Sequence, residues 1–112
     1  MTFDLNGKTF GLVSNDPNGE AGEKTLFHYT QQGHIVSARY SGGTIVHGSI
    51  AALLKGDLLN MVYHCITMDG LLKSGKATAL LSWTKDGKIR MTLDWEWLEP
   101  NVGHGQSAYE EI

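Results

Sequence analysis

Cysteine, proline and charge are all scarce in this 112-residue chain, and each scarcity excludes something. The single cysteine, Cys65, has no partner for an internal disulfide and lacks the neighbouring Cys and His spacing of a zinc site, so neither staple is expected. Charged residues make up 19% of the chain, below the usual ~25%, while hydrophobic residues reach 41%. That balance belongs to a core-forming globular chain and excludes global disorder. Nine Lys and Arg against twelve Asp and Glu leave a formal charge of -3, the wrong sign for gripping phosphate backbones, so nucleic acid is not an expected partner. Residues 1–7 show no basic stretch leading into an apolar one, and no apolar run approaches the ~18 residues of a membrane span. The expectation is one domain over residues 1–112, soluble and cytoplasmic, with no membrane partner.

Only two prolines are present against fourteen glycines, so glycine supplies the punctuation. Asn6-Gly7, Asn18-Gly19, Asp69-Gly70 and Asp86-Gly87 have the residues of type I′ hairpin turns, with Gly33, Gly42-Gly43 and Gly56 as weaker markers and Gly103 and Gly105 around the last connection. Between them lie eight segments of strand length: Lys8 to Asn15, Thr25 to Gln31, His34 to Tyr40, Thr44 to Leu54, Leu58 to Thr67, Leu72 to Trp83, Lys88 to Leu98 and Gln106 to Ile112. Ser49 to Leu54 and Lys76 to Leu81 are rich in Ala and Leu, which favour helix. Their short lengths and flanking glycines assign them to strands, with small residues where parts of the wall come close. Tight turns pair successive strands, and a sheet of about eight lowers its edge cost by closing. The expected fold is all-β, a small antiparallel up-and-down barrel of about eight strands.

Period-two alternation assigns faces. It turns Thr25, Phe27, Tyr29 and Gln31 inward, then Val36, Ala38 and Tyr40, then Val46, Gly48 and Ile50. Met91, Leu93, Trp95 and Trp97 alternate with Arg90, Thr92, Asp94 and Glu96, which read as solvated. In the last strand Ser107, Tyr109 and Glu111 oppose Ala108 and Glu110, and that parity could turn Glu111 toward the barrel mouth. Leu58 to Thr67 has no polar face, since Val62 and Ile66 flank His64 opposite Met61, Tyr63 and Cys65.

The chain resembles a family of small bacterial proteins often labelled N-acetylglutamate synthase. The resemblance spans nearly all of it, through Leu5-Asn6-Gly7-Lys8-Thr9-Phe10, Asn18-Gly19-Glu20, Phe27-His28-Tyr29, Tyr40-Ser41-Gly42-Gly43, Trp95, Trp97 and Glu110-Glu111-Ile112. It implies a compact avidin-like or calycin-like barrel. Relatives usually carry His where Cys65 stands and Glu where Leu93 stands, so a polar centre built on that pair would be apolar here. An acetyl-CoA-dependent transferase needs a glycine-rich loop opening a helix, and no segment combines the two, so acetyl transfer is not expected.

The candidate binding residues are Phe27, Tyr29, Gln31, Tyr40, Tyr63, Cys65, Trp95, Trp97 and Ser107, because an eight-stranded barrel is just wide enough to be filled or to hold one small ligand. Their aromatic surface suits a small hydrophobic or aromatic ligand in the closed end, with Gln31 and Ser107 giving it direction. The competing reading is that they simply fill the core. A cofactor-independent isomerase or cyclase using a tyrosine hydroxyl or Glu111, and a structural or interaction module, are the alternatives. No metal or other cofactor is expected, since His28, His34, His47, His64 and His104 are scattered. Lys55, Lys73, Lys76, Lys85 and Lys88 read as a solvated rim, and Cys65 as a buried, inert thiol. Val62, His64 and Ile66, extended by Ile45, form an outward apolar stripe suited to a homodimer that weakens in acid as His64 gains charge.

Overall fold

A computed structural model describes residues 2–15, 19–100 and 102–112. Eight strands follow one another: β1 (Thr9–Asn15), β2 (Leu26–Gln32), β3 (Ile35–Gly42), β4 (Ile45–Lys55), β5 (Leu58–Thr67), β6 (Leu72–Trp83), β7 (Ile89–Trp97) and β8 (Gly103–Glu111). Each pairs antiparallel with the next, and β8 pairs back onto β1, so the sheet closes into the expected up-and-down barrel. No helix occurs among the described residues, and both Ala- and Leu-rich segments are strand. Their alternation outweighs their helix propensity because every second side chain is buried.

The turns obey a different rule from the one the dipeptides suggest. Among the described residues no residue other than glycine has positive φ, so the two left-handed positions of a type I′ turn never occur together at Asn-Gly or Asp-Gly. Instead the two-residue hairpins fall at Gly33, Gly43 and Gly56, each glycine taking positive φ ahead of an ordinary residue, as type II′ requires. At Asp69-Gly70 and Asp86-Gly87 the loop is longer: the Gly70 N–H donates to the Thr67 carbonyl (2.9 Å) and the Gly87 N–H to that of Thr84 (3.1 Å). Asn6-Gly7 makes a turn ahead of β1, and Asn18 lies outside the described residues.

Bulges correct two of the face assignments. Ile45 pairs with Thr67 and His47 with Ile66, so Val46 is an extra residue that reverses the parity of β4's first turn. Ile45 is therefore in the core and Val46 is 59% exposed, which also removes Ile45 from the outward stripe. A second irregularity between Leu12 and Ser14 on the β1–β8 seam accompanies the burial of Ala108 along with Ser107 and Tyr109.

The barrel has two unlike ends. At one, the N-terminal segment folds across: Leu5 is buried, its N–H donating to the Gln31 side chain (2.9 Å), and Phe3 stacks on Trp83. Phe10, Val36, Leu59, Ile89 and Met91 fill the lumen beneath it. The other end carries the β1–β2, β3–β4, β5–β6 and β7–β8 connections and forms the mouth. Glu111 lies at the closed end, not the mouth, because β8 runs away from the mouth. There its carboxylate accepts from the Ile89 N–H (3.1 Å) and pairs with Lys8 (3.3 Å).

Gly48 shows how the lumen is sized. A Cβ at this position would lie 2.3 Å from the Tyr40 ring, which its cross-strand neighbour projects over it. Gly48→Ala should lower stability by about 1–3 kcal/mol through overpacking, read from chemical denaturation midpoints. An unchanged midpoint would show that the ring has room to move.

Candidate functional site

Six aromatic side chains meet in the mouth half of the barrel. Alternation on β2, β3, β5, β7 and β8 turns Phe27, Tyr40, Tyr63, Trp95, Trp97 and Tyr109 to one space. Phe27 stacks on Tyr40 at 4.7 Å and meets Tyr109 edge-on at 4.8 Å, while Tyr63 meets Trp97 edge-on at 5.4 Å. The cavity left between them has a volume of about 50 Å³. That is room for a water or two and well below the ~150 Å³ that accommodates benzene. The open space thus sits at the mouth rather than in the closed end, where Phe10 and aliphatic side chains occupy the lumen.

Of the residues expected from sequence, Phe27, Tyr40, Tyr63, Trp95, Trp97 and Ser107 line this cavity. Tyr29, Gln31 and Cys65 do not. Tyr29 packs edge-on against Phe10 (5.3 Å), deeper in the barrel. Gln31 is on the same inward parity but at the closed end, where it holds Leu5 and donates to the Gly33 carbonyl (2.9 Å). Cys65 is fully buried beside the Tyr40 hydroxyl; burial, reinforced by the Glu20 charge, pushes its thiol up and keeps it protonated. Tyr109, Ile50, Met61 and Leu93 also line it, from positions whose alternation could have included them, and Ile45, Asn15 and the loop residues Gly19, Glu20 and Ala21, which no alternation marks, complete the lining.

Polar groups in the lining are committed to one another. The Trp95 indole N–H donates to the Ser107 hydroxyl (2.7 Å), which donates to the Asn15 side-chain oxygen, and Asn15 Nδ2 donates to the Ala21 carbonyl (2.7 Å). This chain ties β7, β8 and β1 to the connection that follows β1. The tyrosine hydroxyls reach the wall: Tyr40 donates to the His64 carbonyl (3.1 Å) and Tyr63 to that of Glu96 (3.3 Å). Tyr63 reaches its acceptor past Gly75, where a Cβ would sit 2.6 Å from the hydroxyl.

Lys73 is not part of a solvated rim. Its ammonium lies 4.2 Å from the centroid of the Trp97 ring and 3.1 Å from a Glu20 carboxylate oxygen, leaving the side chain only 14% exposed. The other Glu20 oxygen accepts from the Thr44 hydroxyl. Burial pushes the Glu20 carboxyl up, but the Thr44 and Lys73 hydrogen bonds and the Lys73 charge outweigh it and hold the carboxyl below its ordinary value. No periodic signal marks this pair, since the two residues are 53 positions apart and Glu20 is in a loop. Among the described residues no three His, Cys, Asp or Glu side chains gather as a metal site requires, and no helix is long and apolar enough to cross a membrane.

A closed, eight-stranded up-and-down barrel with an aromatic mouth is a barrel of the calycin type. The chain matches the family model described as "Avidin-like protein" over residues 3–112, and it belongs to that family. No curated protein and no solved structure matches it.

All four tyrosines are shifted the same way. Burial pushes each hydroxyl up, Tyr109 to about 12 and Tyr29, Tyr40 and Tyr63 further. An unfolded tyrosine ionises near pH ~10, so above that pH the unfolded chain releases protons that the folded one retains, and stability falls as pH rises. Ultraviolet titration should show no tyrosinate until the barrel unfolds, with ionisation and the loss of circular dichroism coinciding. Tyrosinate appearing near pH ~10 with the barrel intact would show that these hydroxyls reach water.

Proposed function

We propose that this protein binds a small, largely apolar or aromatic molecule at the mouth end of the barrel. The observation that carries the reading is the convergence of six aromatic rings on one cavity while the opposite end is plugged by Phe10, aliphatic side chains and Leu5. Membership of the avidin-like family supports it, since barrels of this architecture hold ligands in their lumen. The rings supply apolar area, and burial strengthens any polar contact the ligand makes. Because the cavity is small, binding displaces part of its lining. Gly19, Glu20 and Ala21 are the lining residues that no strand holds. The Tyr40 and Tyr63 hydroxyls, kept protonated by burial and donating to wall carbonyls, offer a ligand their oxygen lone pairs as acceptors, whereas Glu111 is at the far end from the cavity.

We propose also that two copies pair through the outer wall. Val62 (58% exposed) and Ile66 (41%) flank His64 on β5, and Leu72 on β6 lies directly beside Ile66. The nearest charges across the wall, Lys76 and Glu96, already neutralise each other at 3.2 Å and offer no repulsion to a second copy. A two-fold axis covers such a patch with itself.

Nitrobenzene, an uncharged aromatic quencher, should quench tryptophan emission saturably in wild type and in Trp83→Phe, which leaves Trp95 and Trp97 as reporters. Saturable quenching that disappears with Trp83 would place the site outside the cavity. Sedimentation at micromolar concentration should show a dimer that Val62→Asp converts to monomer. A wild-type monomer, or a dimeric variant, would exclude this wall as the interface.

A further inference from the structure

The ion pair at the mouth differs from an ordinary surface bridge in what surrounds it. Exposed pairs usually hold little because water screens them and both side chains must be ordered. Here Lys73 is drawn onto the face of Trp97, a wall of the cavity, and both partners are mostly buried, at 14% and 21% side-chain exposure. The counter-ion comes from Glu20, which also lines the cavity. One Glu20 oxygen receives the ammonium and the other the Thr44 hydroxyl, so a cationic and a neutral donor, from β6 and from the β3–β4 connection, hold one carboxylate at the rim.

We infer that Lys73 and Thr44 form a carboxylate-binding subsite of the cavity, which Glu20 fills in the ligand-free protein and an aromatic or apolar carboxylic acid takes over on binding. The inference deepens the small-molecule reading above and rests on it. Three features support the exchange. The cavity cannot admit a ring without losing lining, and Glu20 belongs to the short stretch of lining outside the strands. The displaced carboxylate moves outward to water, where a charge is stable on its own, whereas Lys73 would be left partly buried and unpaired unless a second anion arrived. A ligand carboxylate meets both conditions and places its apolar body against Trp97, Tyr63 and Phe27. A neutral ligand satisfies the volume but not the charge, so the site discriminates acids from their amides.

Calorimetric titration of benzoate and of benzamide tests this against wild type, Glu20→Ala and Glu20→Ala with Lys73→Met, each checked for folding by circular dichroism. Glu20→Gln serves as the variant that removes charge with little change in volume. Removing the internal competitor should tighten benzoate by about tenfold or more, the scale of one hydrogen bond to a charged group, and change benzamide far less. Adding Lys73→Met should abolish the advantage of benzoate. Equal gains for both probes, or an advantage that survives loss of Lys73, would overturn the acid subsite while leaving the cavity reading intact. Failure of both probes to bind any of the proteins would overturn the two readings together.

Discussion

Closing eight strands leaves a lumen only about as wide as two facing side chains, and the rest of the structure depends on how that narrow tube is filled. At the closed end Phe10, aliphatic side chains and the returning Leu5 fill it. Toward the mouth the same width has to contain six aromatic rings, which works only where the wall yields. Gly48 makes room for the Tyr40 ring and Gly75 for the Tyr63 hydroxyl, so glycines within strands set the aromatic packing. Rings packed edge-on and stacked leave interstices that a liquid-like filling would not, and the small cavity is the residue of that geometry.

Polarity in the lumen follows from the same constraint. A hydroxyl or indole N–H brought into so narrow a space must be paired, and every one with a described partner finds it in the wall or in a neighbouring side chain. The Trp95–Ser107–Asn15–Ala21 chain carries this pairing to the surface connection at the mouth, and the Lys73–Glu20–Thr44 cluster does so with charge. On the proposed binding, access to the aromatic space is governed by polar contacts at the rim, each of which an entering molecule has to replace with something of similar strength.

Much of this was readable from residues alone. All eight strands, their meander order and the inward faces of β2, β3 and β7 follow from alternation and glycine punctuation. Val46 and Ile45 exchanged roles because a bulge adds one residue, and parity carries no information across it. Gln31 shares the parity of Phe27 but not its height along the barrel, since alternation separates inside from outside without saying which end is plugged. The turn type at Asp69-Gly70 and Asp86-Gly87 depended on loop length, which the dipeptide does not specify. Lys73 read as a surface lysine because its counter-ion and its aromatic support come from distant parts of the chain.

The four methionines include natural reporters for the central claim that the mouth-end cavity is the binding site. Met61 lines the cavity, Met91 is buried at the closed end and Met68 is exposed on the outside. With methyl-labelled methionine, titration of a small aromatic compound should shift the Met61 methyl resonance saturably and leave Met68 and Met91 in place. A Met61 resonance that stays fixed while Met68 or Met91 moves would contradict the account.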